Sequence, residues 1–400
     1  MARSDVFNGV SRSIQALMRC LADDSGMEVA WLRLLYWGDS RTTLRDVERV
    51  EHCFRYLLPY GVDTFLSDKE KREQCWVQIL NRYFTDIPEG DTLIFHVHTL
   101  NLIELACFLQ THLGGHIITH LHCIPWKSLY DRNQAHYKKL YYNYYIEKQK
   151  PRWEDFIYAD YERKAYLTSD ALVCVTYNAR DFLLSLGLPE NKVHWVANGL
   201  PNVAAEQNGR RQDAEVPTVL FVGNANPSKG LELLLEGLTN LRQRALRIVV
   251  AGLFDMATRE HLLNRFPQLD IRFVGQTDLE TLSRLYTQAT AGVIPSAHEQ
   301  CSCVAIEMMM HGLPLVCSSV DGLDEMFQHE ITALKVPLSP AADNPYTPDG
   351  QALAQALVRL LADASLRHRL SCQVRTLYES DFTDTLMREK MRSIYSLLTS

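Results

Sequence analysis

The chain has little that would carry it into a bilayer, onto nucleic acid or into an oxidising compartment. No apolar run reaches the roughly 18 residues that span a membrane. The opening Met1-Ala-Arg-Ser-Asp lacks the apolar core of a signal peptide. A cytoplasmic protein is expected, with at most peripheral contact on the inner face of a membrane. An excess of basic charge is also missing: 41 Lys and Arg face 48 Asp and Glu, a formal net charge of -7. Nucleic-acid binding therefore has no global electrostatic support, and any anionic ligand must be met by local charge and backbone N–H groups. The chain holds 10 cysteines but no Cys-x-x-Cys pair. Cys174 and Cys317 sit inside apolar runs, which suits buried, reduced thiols. Cys301-Ser-Cys303 lacks companion metal ligands and reads as small residues in a tight loop. No internal repeat or low-complexity tract is present.

What is present is an alternation of short apolar runs and amphipathic stretches. Strands are expected at Met27–Tyr36, Thr92–His98, His116–His122, Ala171–Tyr177 and His194–Ala197 in the first half. In the second half they are expected at Thr218–Gly223, Leu246–Gly252, Asp270–Gly275, Ala291–Pro295, Pro314–Ser318 and Ala333–Val336. Several are continuous in Val, Ile and Leu, as in strands buried on both faces. The leucines from Leu231 to Leu241 recur on one helical face. Strands alternating with helices imply an α/β chain of two Rossmann-like domains with parallel sheets. The polar stretch Ala204–Pro217 reads as a linker. It places an N-terminal domain at 1–203 and a C-terminal domain at 204–375. The helical tail 376–400 has Phe382, Leu386, Met387, Met391, Ile394, Tyr395 and Leu398 spaced for one face.

Two loops of the second half carry chemistry. The first is Phe221-Val-Gly-Asn-Ala-Asn-Pro-Ser-Lys229-Gly230, a strand end followed by a loop and a helix start. Gly223 allows a ligand close to the backbone, and Lys229 supplies a point charge suited to phosphate. The second is Pro295-Ser-Ala-His-Glu299-Gln-Cys-Ser-Cys-Val-Ala-Ile-Glu307. A helix is expected from about Ser302, its N-cap, to Met310. First-turn amides of that helix suit a diphosphate. Glu299 and Glu307 flank them and suit sugar and ribose hydroxyls, because a carboxylate is an acceptor and repels phosphate. The competing reading of both glutamates is a solvated helix start.

Glu299, seven residues and Glu307, then His311-Gly312-Leu-Pro314 and Asp321-Gly322-Leu-Asp-Glu325, resemble the donor site of glycosyltransferase family 4, group 1. Lys229-Gly230 resembles that family's upstream phosphate loop, and Asn198-Gly199 its Asn-Gly turn between domains. The resemblance implies a GT-B fold, two Rossmann-like domains facing across a cleft, with the final helix returning to the first. It implies retaining transfer from a UDP-, GDP- or ADP-sugar co-substrate to an acceptor hydroxyl, in glycan or glycoconjugate biosynthesis. No cofactor is implied. No metal is implied either, in keeping with the lack of an Asp-x-Asp motif. In these terms Lys229 pairs with the diphosphate, Glu299 contacts the transferred sugar, Glu307 takes the ribose, and the amides of Cys301, Ser302, Cys303 and Val304 cradle the diphosphate. Gly223, Asn224 and Asn198 complete the donor side.

The first half has an oddity. Val6-Phe-Asn-Gly9 resembles the glycine loop that follows a first strand in this family, and a helix, Arg12–Leu21, comes next as expected. The strand that would precede it is missing. Either the natural start lies upstream or the sheet has a gap. Gly9 is assigned to the donor side by resemblance. His96, His98, His120 and His122 lie at the ends of two strands. Alternate histidines on one strand are half of a zinc ligand set, so hydrogen-bonding roles are favoured. By resemblance His122 is the histidine that faces the donor sugar. Residues 137–153 are basic and aromatic. They suit either a helix with inward tyrosines or an anionic membrane surface beside a lipid-linked acceptor. A non-catalytic GT-B protein that only binds a nucleotide sugar is the alternative of a different class.

One departure from the family is testable. Asn224 stands where an arginine usually follows the strand glycine. A charged hydrogen bond contributes about 1.5–3 kcal/mol against about 1 for a neutral one. Asn224→Arg is expected to tighten nucleotide-sugar binding several-fold and to raise turnover. Calorimetry and steady-state kinetics check this, and unchanged values would sink it.

Overall fold

In the computed structural model the described residues are 9–22, 28–36, 48–50, 53–60, 69–85, 87, 89–123, 153–204, 216–239, 246–339 and 347–399. The helices are α1 Gly9–Ala22, α2 Lys69–Tyr83, α3 Ile103–Leu113, α4 Trp153–Thr168, α5 Tyr177–Ser185, α6 Leu231–Thr239 and α7 Met256–Arg265. They continue with α8 Leu279–Gln288, α9 Cys303–Met310, α10 Asp321–Met326, α11 Gly350–Ala362, α12 Ala364–Asp381 and α13 Asp384–Thr399. The strands are β1 Ala30–Tyr36, β2 Glu48–Val50, β3 Cys53–Tyr60, β4 Ile94–Val97, β5 His116–Leu121, β6 Ala171–Cys174 and β7 Val193–Trp195. The rest are β8 Thr218–Val222, β9 Arg247–Ala251, β10 Asp270–Gly275, β11 Ala291–Ile294, β12 Leu315–Ser318 and β13 Leu334–Val336.

The chain divides into two compact units. One comprises Met1–Val175, Ala179–Val196 and Met387–Ser400; the other comprises Thr176–Asn178 and Ala197–Leu386. Helix α12 runs unbroken through position 375, and the division near the C-terminus falls inside α13.

The second unit is built on six parallel strands in the order β10-β9-β8-β11-β12-β13. The four inner strands are apolar because both faces are covered: Val219, Leu220, Ile248, Val250, Ala291, Leu315, Val316 and Cys317 have almost no exposure. Four helices start from one device. Asp255, Asp278, Asp349 and Asp363 sit in extended backbone, and each carboxylate accepts the N–H three residues on. This satisfies an amide that the helix itself cannot. The leucine face of α6 buries Leu231, Leu234, Leu235 and Leu238 into the same core as Val219 and Ile248.

The first unit holds two sheets. β4-β5-β6-β7 is parallel throughout, and β1-β3-β2 pairs β1 with β3 in parallel and β2 with β3 antiparallel. β2 and β3 were not expected, because Cys53–Tyr60 alternates poorly and contains Pro59. Among the described residues no strand precedes α1; residues 1–8 lie outside them. So do residues 205–215 of the linker and residues 137–152 of the basic aromatic segment. A core of Val97, Ile103, Ile117, Leu121, Tyr166, Leu172 and Phe182 fills the space over the four-stranded sheet. No described helix is long and apolar enough to cross a membrane.

Helices α6 and α11 touch through two glycines. A Cβ built on Gly237 lies 2.0 Å from the carbonyl oxygen of Gly350. Alanine is better than glycine in a helix by roughly 1 kcal/mol, but a backbone oxygen cannot swing aside, and overpacking costs about 1–3 kcal/mol. Gly237→Ala is therefore expected to lower the urea midpoint. A raised midpoint means the helices yield here.

Candidate functional site

The strand order 10-9-8-11-12-13 reverses between β8 and β11. In open α/β sheets the chains leaving two such strands diverge and leave a crevice at their carboxyl ends. Both loops singled out in the sequence leave from this point. Gly223 follows β8 and donates to the Ala251 carbonyl at 2.9 Å. Asn224 is exposed, and its Oδ1 accepts the Asn226 N–H at 3.2 Å. Asn226 caps a short 3-10 turn, Pro227–Lys229, by accepting from Ser228 N. Gly230 then takes a left-handed φ of +73, and a Cβ there would lie 2.0 Å from the Pro295 oxygen. Only glycine lets the β8 loop lie this close to the β11 loop, and Ala297 N donates to Ser228 O across it at 2.7 Å.

This closeness places Lys229 on Glu299. Nζ is 2.6 Å from Oε1, with the side chains 33% and 12% exposed. Ser296 Oγ donates to the same carboxylate oxygen at 2.9 Å. Ser302 caps α9 by accepting from Ala305 N. Glu307 is buried in that helix, 6% exposed, and accepts from Tyr286 Oη at 2.6 Å. The solvated helix start is thus contradicted for both glutamates, because each is covered and held by a neighbouring donor.

The loop before α9 is held from behind. Asn198 is buried and donates from Nδ2 to the Cys301 carbonyl at 2.8 Å. Cys301 and Cys303 are buried too, and burial pushes the Cys301 thiol up to about 12. That makes it a neutral packing group, not a nucleophile. Val304 is half-buried in the first turn of α9. Gly322 accounts for the Asp-Gly motif: a Cβ there would lie 1.8 Å from the Gln300 oxygen, and its N–H donates to Glu299 O at 3.0 Å.

Three features escaped the sequence reading. Tyr286 orients Glu307, while Ser283, one turn before it, meets His311 Nε2 at 2.7 Å; their i,i+3 spacing puts both on one face of α8 but points to neither partner. His298 pairs with Asp321 at 2.8 Å, and Asp321 has an unusual φ of 36. Gln300 Nε2 is buried with no partner among the described residues.

In the first unit Gly9 is the exposed first residue of α1. His122 lies just past β5, and its Nε2 is 2.9 Å from His98 Nδ1. Burial pulls His122 down to about 4 and, with the charge of His122 beside it, His96 to about 3.

Residues 7–201 match the family described as Glycosyltransferase Family 4, and residues 216–363 match Glycosyl transferases group 1. The chain belongs to glycosyltransferase family 4. An uncharacterized glycosyltransferase of Methanocaldococcus jannaschii is 30% identical over 305 residues, covering 69% of this chain and 75% of that one. The alpha-D-kanosaminyltransferase of Streptomyces kanamyceticus is 26% identical over 58% of this chain and 62% of its own length. The chain spans about half, 51%, of the Mycobacterium tuberculosis glycogen synthase it matches. Among solved structures, sucrose-phosphate synthase from Thermosynechococcus elongatus aligns with a TM-score of 0.73 at 22% identity, over 98% of this chain and 94% of that one. HepE of Anabaena in complex with UDP-glucose aligns with a TM-score of 0.59 at 14% identity, over 76% and 79%. The fold of this family 4 glycosyltransferase is GT-B.

Asn198 is the support whose removal is most informative. Asn198→Ala leaves the buried Cys301 carbonyl without this donor, at a cost of about 1–3 kcal/mol. A fall in unfolding free energy of that size is expected, with weaker nucleotide binding, by urea titration and calorimetry. Unaltered stability means the loop is held by other contacts.

Proposed function

We propose that the enzyme transfers a hexosyl-type sugar from a nucleoside-diphosphate sugar to an acceptor hydroxyl with retention of configuration, in glycan or glycoconjugate biosynthesis. The observation that carries this reading is the pairing of Lys229 with Glu299 just before α9, at the reversal of strand order, with Glu307 held by Tyr286 inside that helix. Relatives in complex with UDP, UDP-glucose or UDP-2-fluoro glucose support a UDP-sugar as the first donor to test.

In this reading the diphosphate lies at the N-terminus of α9, where first-turn amides lack intrahelical acceptors and the dipole favours an anion. Cys301 to Val304 supply those amides. Without a donor, Lys229 is neutralised by Glu299; with one, its ammonium turns to the phosphate, and Glu299 is released toward the sugar hydroxyls. Glu307, pinned by Tyr286, takes the ribose. By resemblance His122 is the histidine for the sugar, and burial keeps it a neutral hydrogen-bonding group. The bond from the anomeric carbon to the phosphate oxygen breaks, and the acceptor oxygen bonds to that carbon on the same face. The acceptor proton passes to the departing phosphate oxygen. Charge builds on the leaving group, so Lys229 acts mainly in the transition state.

The test is release of nucleoside diphosphate from a panel of UDP-, GDP- and ADP-sugars, with the anomeric configuration of the product read by NMR. Lys229→Ala is expected to lower kcat on the order of 10²–10³-fold. Glu307→Ala is expected to act chiefly on KM, since a ribose contact is equal in ground and transition states. An inverted product removes retention. Binding without turnover on any donor and acceptor supports the non-catalytic alternative.

A further inference from the structure

The parallel pairing of β4 with β5 matches Val97 with Thr119 and so sets His98 level with His120. The two histidines of each strand end, half a ligand set apiece, thereby come together in one stack. His96 and His98 rings are 4.1 Å apart, His98 and His120 are 5.2 Å apart, and His120 and His122 are 4.4 Å apart and stacked nearly parallel at 5°. One ring nitrogen from each of His96, His98 and His120 lies within 4.8 Å of the others.

We propose that His96, His98 and His120 form a binding site for a single Zn²⁺-type transition ion. Three features of the chemistry agree. First, two of the rings are already oriented through their second nitrogen, as ligating histidines are. His96 Nδ1 meets Tyr395 Oη at 2.8 Å, and His98 Nδ1 meets His122 Nε2 at 2.9 Å, which leaves Nε2 of each ring for the ion. Second, His96 Nε2 is 3.3 Å from His120 Nδ1. That is long for a hydrogen bond, but it equals the edge of a tetrahedron with zinc–nitrogen bonds of about 2.0–2.1 Å. Third, the register of β4 on β5 fixes all three rings from the backbone before any ion arrives. All-imidazole ligands select zinc, copper or nickel over magnesium or calcium. A fourth position remains for water or an anion. None of the three ligands belongs to the donor loops; His122, the partner of His98, is the one residue shared with the reading above.

The experiment uses the full chain without donor or acceptor. After dialysis against chelator and then Zn²⁺, bound metal is measured by mass spectrometry, and Co²⁺ is added separately as a spectroscopic probe. About one ion per chain is expected, with a Co²⁺ visible band of four-coordinate nitrogen ligation and a melting temperature that climbs with Zn²⁺ concentration. His96→Asn and His120→Asn abolish binding. His122→Asn, which removes only the partner of His98, weakens it about 10–100-fold. His116→Asn, at the other end of β5, leaves it unchanged. No ion on the wild-type chain at tenfold excess overturns the proposal, as does binding that survives His96→Asn and His120→Asn together. Should the variants misfold, the Co²⁺ spectrum of the wild-type chain decides alone: a six-coordinate, weakly absorbing signal refutes the site.

Discussion

At Gly230 the backbone leaving β8 lies against the carbonyl of Pro295 at the end of β11, with no room for a side-chain carbon between them. This approach sits where the strand order reverses, and the two loops leaving β8 and β11 are arranged around it. It brings Lys229 from one loop within 2.6 Å of Glu299 on the other. It sets Ala297 on Ser228 and fixes where the chain can turn into α9. From α9 the constraint passes outward. Asn198 holds the loop by the Cys301 carbonyl, Gly322 packs on the Gln300 backbone, and Tyr286 holds the one carboxylate inside the helix.

The electrostatics follow from that arrangement more than from composition. A chain of net charge -7 has no general attraction for a diphosphate. At the reversal of strand order it has the half-buried Lys229 paired with Glu299, and three residues after Glu299 the Ser302 cap of α9. Glu299 keeps the lysine compensated: an ammonium in a partly dry crevice with no counter-charge is costly, and a loose pairing in water contributes little. The bonds from Lys229 and Ser296 also hold the Glu299 carboxylate in one place. Asn224 departs from this logic, since its side chain serves the turn by accepting from Asn226.

Much of the fold was legible because burial on both faces leaves a plain mark. Strands β8, β9, β11 and β12 are largely continuous apolar runs separated by helical periodicity, and all six strands from β8 to β13 lie where they were expected. Ser302 was readable as a cap because its hydroxyl, one residue before an apolar helix, has one obvious use. β2 and β3 were not readable, since a strand broken by Pro59 and without alternation carries no period. Tyr286 and Ser283 were not readable as partners of Glu307 and His311, because they lie 21 and 28 residues away and no local rule pairs them.

The residues alone determined the α/β class and marked the two loops at the ends of β8 and β11, because these depend on periodicity and spacing along a single element. Only the tertiary structure decided that Glu299 and Glu307 are covered and not solvated. It also decided that Lys229 already has a counter-ion, and that two half-sets of histidines from neighbouring strands form one cluster. Those outcomes depend on which strand lies beside which, and in what register. Parallel pairing across a crossover is set by the packing of the whole sheet, and no window of sequence contains it.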